Sequence, residues 1–424
     1  MSPKLSFFII ASLLICFGLQ GCSQAAKEVE RPERIVSKRI VVYDADTYKK
    51  LGDRWQAYYD AFPSEDAYAN WMYAARYAGD SNYPDLLEKG YKKYSANPTI
   101  LYLYAMQAYD CHGDLEGQRL MERAAELDPL YDDPVYGLIT CYIDSDDEKL
   151  DVALKRLLEL GAIADEVMDY NYNTLMSLEK DAILITNGDM DTYPVWVLQR
   201  ILKIRTDVNL INRSLLNTDW YPNYLVKQGA PRFIASDELQ SSRDAMLKQY
   251  KEKGEKIPSY GPYSDTLLTK VIEKATVMGR PVYFAATLYS SPVIDRFKEK
   301  GRALGIVTLV NPDRKPYELQ IRELTDNWLG SFRTSGLDSW SLRHAKRRTF
   351  GRSLAMNYAA GLHSILDDVK RYAPNKRSAL FHWYNNHLLE LMPDKYRDEI
   401  NRMWCNSTDI KEIRDWCEEQ GLIE

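Results

Sequence analysis

The sequence predicts an α + α/β protein, in which repeated helical hairpins are followed by an α/β domain and a helical C-terminal region. Three observations support this prediction. Aromatic and alanine residues recur at three-to-four-residue spacing over 51–165, short apolar runs bounded by turn residues begin near Asp181, and helical spacing returns after about Asp326. The chain has 424 residues, of which 45% are hydrophobic and 27% charged, so it can build two or three packed domains.

The N-terminus has the features of a secretory signal peptide. Lys4 precedes an apolar run, Leu5–Leu19, which is shorter than the roughly 20 residues that a membrane-spanning helix needs. We therefore predict that 1–21 is cleaved. The residues at the cleavage point, Leu19-Gln20-Gly21-Cys22, resemble the bacterial lipobox. This resemblance implies that Cys22 carries lipid and anchors the protein outside the cytoplasm in the cell envelope, with the outer membrane favoured over the inner. The alternative is an ordinary signal peptide in which this cysteine is incidental.

The residues that follow the anchor are expected to form a spacer. Residues 22–50 comprise the lipidated cysteine and a tether, and the stretch from Ser23 to about Ser37 is polar and charged with one proline. A flexible chain of this length reaches roughly 20 to 25 Å. The folded body would then stand clear of the lipid headgroups.

Net charge and cysteine spacing exclude two classes of protein. A formal charge of −6 argues against a general nucleic-acid-binding role, which needs a basic face. Four cysteines remain after the signal peptide and the anchor, and their natural disulfide pairs in an oxidising envelope are Cys405 with Cys417 and Cys111 with Cys141. Neither spacing is typical of a zinc site.

The repeats of 51–165 are clearest between Asn97-Pro98 and Asp128-Pro129. This copy has Tyr102 and Ala105 on its first helix and His112-Gly113-Asp114 at its turn. It resembles a tetratricopeptide repeat, and the resemblance implies stacked helical pairs with a concave groove that receives a peptide or a partner helix. The alternative is a helical layer that only packs on the next domain.

The α/β domain is expected over 166–328, before a helical C-terminal region over 329–424. Its strand and helix pattern favours a Rossmann-like fold with a mainly parallel sheet. The expected strands are Ala182–Ile185, Val208–Ile211, Pro281–Ala286 and Leu304–Leu309, and the expected helices are Val195–Ile204, Asp265–Met278 and Pro292–Lys300.

A family resemblance covers the start of this domain. The stretches that carry it are Asp181–Asp189, Asp191–Pro194, Arg205–Val208 and Ser214–Tyr221, together with Trp196 and Gln199. They resemble the soluble C-terminal region of bacterial multi-pass membrane proteins of unknown function that are related to protein O-mannosyltransferases. The membrane portion of those relatives is missing from this sequence, so the resemblance does not imply glycosyl transfer. It implies a shared soluble module that works in envelope glycan or glycoprotein assembly.

Polar residues follow the predicted strands, and in open α/β sheets ligands bind beyond the carboxyl ends of the strands. The candidates for a site at this edge are Asn187, Asp189, Asp191, Asn212, Arg213, Thr287 and Tyr289. Asp189 and Asp191 are the candidate catalytic residues and the candidate ligands of a divalent metal, because paired carboxylates hold Mg²⁺ or Mn²⁺ on phosphate groups. The other five are ligand-binding candidates. The alternative is that Asn187, Asp189 and Asp191 tie the turn together and cap the following helix.

The function that these observations favour is a non-catalytic scaffold for protein and glycan interactions at the envelope. The sequence has neither a nucleophile elbow nor a phosphate-binding glycine loop. The expected partners are the membrane through the lipid, a protein through the repeats, and a glycan or glycoprotein. The alternative function is a metal-dependent glycan- or phosphoryl-processing enzyme that uses Asp189 and Asp191.

The lipid anchor can be tested with a single substitution. We expect Cys22→Ser to move the mature protein from the membrane fraction to the soluble envelope fraction, because a thiol is needed for acylation. Detergent-phase partitioning and intact mass spectrometry measure this shift, with Ser23→Ala as the control that stays in the membrane fraction. A Cys22→Ser protein that remained membrane-bound with an unchanged lipid mass would contradict the prediction.

Overall fold

The computed structural model describes residues 29–109, 112–255, 262–312, 315–345, 349–406 and 409–423. The predicted signal peptide, Cys22 and Cys111 lie outside these ranges. Helices predominate within them, and they contain a five-stranded sheet. No helix in these ranges is long and apolar enough to cross a membrane.

The first half of the described chain consists of antiparallel helical pairs. Its helices are α1 (Ala45–Ala61), α2 (Glu65–Ala78), α3 (Tyr83–Lys93), α4 (Pro98–Ala108), α5 (Leu115–Leu127), α6 (Asp133–Tyr142), α7 (Asp147–Glu159) and α8 (Asp165–Met176). Helices α2, α4 and α6 begin at 65, 98 and 133, so their starts are 33 and 35 residues apart. They lie side by side, since α4 contacts both α2 and α6. This arrangement is consistent with the predicted helical repeat.

Local sequence signals explain these helices. Side chains of Ser64, Asn97 and Asp114 accept hydrogen bonds from main-chain N–H groups in the first turns of α2, α4 and α5. Small residues allow the helices to cross closely: a Cβ atom on Gly137 would lie 2.9 Å from the Met121 sulfur. The caps fix where the helices begin, and the small residues fix how near they pack.

The sheet has a different topology from the one expected. Its strands are β1 (Ile183–Thr186), β2 (Asn209–Asn212), β3 (Val282–Ala285), β4 (Arg302–Leu304) and β5 (Val307–Leu309), in the order β2-β1-β3-β5-β4. Strand β1 is parallel to β2 and β3, but β5 is antiparallel to β3 and β4. The sheet is therefore mixed, and the expected mainly parallel arrangement is found in three strands.

Gly305 is the cause of this difference. The expected strand Leu304–Leu309 is divided into β4 and β5 by a two-residue turn, Gly305-Ile306, since Leu304 pairs with Val307. The backbone of Gly305 is left-handed, with φ of +68°, a conformation that favours glycine and suits a tight hairpin. An apolar run that is long enough for one strand is thus a hairpin that reverses the chain direction.

The helices around the sheet fall into two sets. Those between the strands are α9 (Tyr193–Trp196), which continues as a π-helix over Val197–Ile201, then α10 (Tyr221–Lys227), α11 (Ser236–Lys253), α12 (Pro262–Met278) and α13 (Pro292–Lys300). Those after it are α14 (Tyr317–Gly330), α15 (Trp340–Arg343), α16 (Phe350–Tyr372), α17 (Arg377–His387), α18 (Asp394–Asn406) and α19 (Lys411–Glu419). Helices α14 and α16 pack on each other and on β4. The C-terminal helices thereby cover the antiparallel side of the sheet.

Disulfides are present in both halves of the chain. Cys405 on α18 forms a disulfide bond with Cys417 on α19. This is one of the two pairs that the sequence predicts. Cys141 on α6 is also disulfide-bonded. Its expected partner, Cys111, lies outside the described residues.

Over the described part of the predicted tether, residues 29–50, the chain is folded against the repeats. Helix α1 begins at Ala45, and the residues before it already contact the repeats. The indole N–H of the fully buried Trp55 donates to the Glu33 carbonyl at 3.1 Å, and Ile35 is buried. Val41 pairs with Thr349 in an isolated antiparallel bridge. Local composition indicated a solvated spacer because the partners of these residues lie far away in the sequence.

The contact between α16 and the hairpin can be tested with two glycine substitutions. We expect Gly361→Ala to lower the free energy of unfolding by about 1–3 kcal/mol, the usual cost of overpacking. A Cβ there would lie 2.7 Å from the Gly305 carbonyl carbon, in rigid backbone. Gly330→Ala, at the exposed end of α14, has no atom within 4 Å of the new Cβ and should be neutral or slightly stabilising. Chemical denaturation of both variants checks this, and equal stabilities would show that the α16–hairpin contact is not tightly packed.

Candidate functional site

The carboxyl ends of β1, β2 and β3 bring together six of the seven predicted site residues: Asn187, Asp191, Asn212, Arg213, Thr287 and Tyr289. Asp191 is 5% exposed and lies at the centre of this cluster. Its carboxylate accepts hydrogen bonds from the main-chain N–H groups of Asn187 and Gly188, both at 2.8 Å, and from the Thr287 hydroxyl. Burial raises the pKa of Asp191, and these hydrogen bonds oppose that shift. Asp191 thus ties the turn after β1 to the turn after β3.

The side chains from β2 are equally engaged. The amide of Asn212 donates to the Thr192 hydroxyl at 3.0 Å, and its oxygen accepts from the main-chain N–H of Leu215 at 3.1 Å. The fully buried Arg213 donates to the Tyr289 carbonyl at 2.9 Å and to Asp265 at 2.7 Å. The cluster is therefore a network of internal hydrogen bonds that joins three turns.

Two other predicted site residues, Asn187 and Tyr289, are less buried than Asp191 and Arg213. The Asn187 side-chain oxygen accepts a long hydrogen bond, 3.4 Å, from the Tyr289 main-chain N–H. The Tyr289 residue itself is 63% exposed. Its main chain belongs to the network while its side chain is available to solvent.

Asp189 lies apart from this network. Its Oδ2 accepts from Nε and Nη2 of Arg39, at 3.1 and 2.8 Å. Asp189 and Asp191 therefore have different hydrogen-bond partners. Within the described ranges, no group of three or more histidine, cysteine, aspartate or glutamate side chains is placed to hold a metal ion.

Arg39 and Asp133 form a buried centre that the sequence did not indicate. Nη1 of Arg39 donates to Oδ1 of Asp133 at 2.7 Å, and its guanidinium lies 4.4 Å from the centre of the Tyr136 ring. The Arg39 side chain is 14% exposed and the Asp133 side chain is fully buried. Burial disfavours the charge of Arg39, but Tyr102, Asp189 and Asp133 outweigh burial and raise its pKa. Arg39 lies in the stretch that the sequence predicts as a tether, and its partners Asp133 and Asp189 are 94 and 150 residues away.

Asp133 is also the meeting point of the repeats and the N-terminal segment, which we define as residues 33–41. It accepts hydrogen bonds from the hydroxyls of Ser37, at 2.7 Å, and Tyr73, at 3.1 Å. Four donors surround this one carboxylate once Arg39 and the Tyr131 hydroxyl are included. A buried carboxylate needs such partners to remain charged.

The N-terminal segment lies in a groove formed by α2, α4 and α6. Two side chains of α2 bind its main chain: the Asn70 amide oxygen accepts from the N–H of Ile35, and the Tyr73 hydroxyl accepts from the N–H of Lys38, both at 3.0 Å. These bonds are made to main-chain groups, so they do not depend on the side chains of the bound segment. The groove of the repeats therefore holds a peptide, and that peptide is part of the same chain.

An acidic cavity of about 570 Å³ remains beside the N-terminal segment. Its acidic lining residues are Glu65, Asp66, Asp128, Asp132 and Asp133, and Arg34 also lines it. Burial, followed by the charge of Asp133, raises the pKa of Asp132 to about 6. The cavity consequently favours a cationic occupant, which would relieve the repulsion between these carboxylates.

Part of the chain is similar to a known family. Residues 167–257 match the family model described as TMEM260-associated domain 2. The match spans most of α8, then β1, β2, α10 and α11, and fits the module that the family resemblance in the sequence predicted. No curated protein and no solved structure matches the chain.

The buried ion pair gives a sharp prediction. We expect Arg39→Ala to lower the free energy of unfolding by about 3–5 kcal/mol, because Asp133 would be left buried without its cation. Urea denaturation at neutral pH measures the loss. Arg31→Ala is the matched control, since Arg31 pairs with Asp66 in solvent, with side chains 59% and 50% exposed. Equal, small effects in both variants would show that the buried pair is not a major source of stability.

Proposed function

We propose that the protein is a non-catalytic interaction scaffold of the cell envelope, anchored by lipid at Cys22. Its repeats, which we take to be tetratricopeptide-like, bind a protein partner, and its α/β module binds a glycan or glycoprotein. The observation that carries this proposal is the N-terminal segment in the groove, held by Asn70 and Tyr73 through its main chain. A surface that already holds one chain segment through its main chain has the geometry to recognise another.

The charge of the cavity points to the chemistry of the partner. Glu65, Asp128 and Asp132 line the space beside the N-terminal segment, and Arg34 is the basic side chain among them. A partner segment in which arginine or lysine alternates with aliphatic residues would complement this lining. Such contacts favour fast, salt-dependent association.

The enzymatic alternative has less support from the geometry. Asp189 is paired with Arg39, and the Asp191 carboxylate accepts hydrogen bonds from two main-chain N–H groups and from the Thr287 hydroxyl. A Rossmann-like ligand site at the carboxyl ends of the strands is accordingly not part of the proposal. The polar residues at that edge connect turns to each other.

A peptide-binding experiment tests the proposal. The probe is a labelled peptide that repeats the basic-aliphatic pattern of residues 34–39, compared with one in which every basic residue is glutamate. We expect the basic peptide to bind the full mature chain and to be released by salt. Asp128→Asn/Asp132→Asn should weaken binding by about 10-fold, equivalent to ~1.4 kcal/mol. Fluorescence anisotropy gives both affinities.

The control variant removes the same charge elsewhere. Asp60→Asn/Asp85→Asn alters two exposed aspartates on α1 and α3 and should leave the affinity unchanged. Three results would overturn the proposal: no binding of the basic peptide, equal binding of the acidic peptide, or equal weakening in the control variant.

A further inference from the structure

A second cavity, of about 300 Å³, lies at the other end of β2 from the polar network. The π-helix, the loop after it and α10 supply most of its wall, including Gln199, Thr206 and Tyr224. Trp196 at the end of α9 and Asn209 at the start of β2 also line it. Every lining residue except Asp151 falls within 167–257, the stretch that matches the family model. The cavity is thus a feature of the α/β module.

The loop on one side of this cavity is strained and firmly held. Lys203 and Arg205 have left-handed backbones, with φ of +57° and +51°, although neither is glycine. The Arg205 guanidinium donates to three carbonyls at the end of α8 and pairs with Asp207, while the Gln199 amide donates to the carbonyls of Arg205 and Val208, both at 2.8 Å. Strain fixed by its surroundings, beside a π-helix, is typical of functional sites. Here it shapes the cavity before any ligand arrives.

Two nearly buried aromatic residues on the wall have polar atoms without hydrogen bonds. Trp196 is 6% exposed and Tyr224 is 5% exposed. Across the described part of the chain, neither the indole N–H nor the phenol hydroxyl has a hydrogen-bond partner. Neither atom is among the buried side-chain atoms that lack a partner in the described ranges, so both reach solvent and can bond to a ligand. Burial raises the pKa of Tyr224 to about 12, so its hydroxyl remains a donor at neutral pH.

Charges around the cavity cancel. Arg200 is paired with Asp151 at 2.6 Å and with Asp147 at 2.8 Å. Lys203 at the rim is exposed to solvent. The formal charges of these four side chains sum to zero, and this favours a neutral ligand over an anion. Hydrogen-bonding groups nonetheless dominate the lining, so the ligand is polar.

We propose that this cavity binds one neutral sugar unit of a glycan. A sugar ring carries hydroxyls that donate and accept hydrogen bonds and C–H faces that pack on aromatic and aliphatic side chains, and the wall offers both. Its volume is at the small end for ligand pockets and suits a single ring. This site deepens the glycan part of the proposed function and does not depend on the peptide groove.

Titration calorimetry of the full mature chain tests the site. The probes are the methyl glycosides of glucose, galactose, mannose and N-acetylglucosamine, with glucuronate and inorganic phosphate as charged comparisons. We expect saturable binding of at least one neutral glycoside. Tyr224→Phe, which removes one hydroxyl, should weaken it by about 10-fold. Thr206→Trp, a substitution at an exposed position on the rim, should block it.

Two controls distinguish sugar binding in this cavity from binding elsewhere on the protein. Tyr91→Phe removes a hydroxyl on α3, away from the cavity, and should leave sugar binding unchanged. Asp128→Asn/Asp132→Asn should also bind sugar normally, while Tyr224→Phe should bind the basic peptide normally, so that failure of one site does not count against the other. The proposal is overturned if none of the four neutral glycosides binds, if only a charged probe binds, or if Tyr91→Phe and Tyr224→Phe weaken binding equally.

Discussion

The buried pair of Arg39 and Asp133 is the interaction on which the arrangement of the chain depends. A carboxylate with no solvent access is stable as an anion only if donors surround it, and here they come from the N-terminal segment and from the repeats. The same guanidinium binds Asp189 of the α/β module. Three parts of the sequence, the outermost of them 150 residues apart, are thereby held at one point. Without the N-terminal segment, Asp133 would lose two of its hydrogen-bond donors, Ser37 and Arg39, and the fold would be less stable.

Together with the proposed lipid anchor, this constraint would place the groove near a membrane. Eleven positions separate Cys22 from Glu33, where the N-terminal segment begins. Eleven residues span at most about 40 Å, even when fully extended. If the lipid anchor is present as proposed, the groove and its acidic cavity are kept near the membrane surface. A partner that binds there would itself be close to the membrane, which limits the proposed scaffold to envelope components.

Sequence reasoning succeeded where the signals are local. Asn97 and Asp114, which mark the start and the turn of the predicted repeat, precede helices that they cap, and the apolar runs at Ile183 and Val282 form adjacent buried strands. It failed where the local fold depends on a single residue or on a partner that is distant in the sequence. Gly305 inside an apolar run was the available signal for a hairpin, since glycine within a strand pattern often marks a tight bend. The role of Arg39 depends on residues 94 and 150 positions away, and no local pattern reports such contacts.

The candidate site shows why polar residues at the expected edge of a sheet are insufficient to identify a binding site. Asp191, Asn212 and Arg213 are polar and grouped, but their hydrogen bonds are made within the protein, so they stabilise turns. Trp196 and Tyr224 are less conspicuous in the sequence, yet their polar atoms lack partners among the described residues and face a shaped cavity. Contacts made within the protein, which only the structure shows, therefore mark Asp191, Asn212 and Arg213 as residues that hold the turns of this module together.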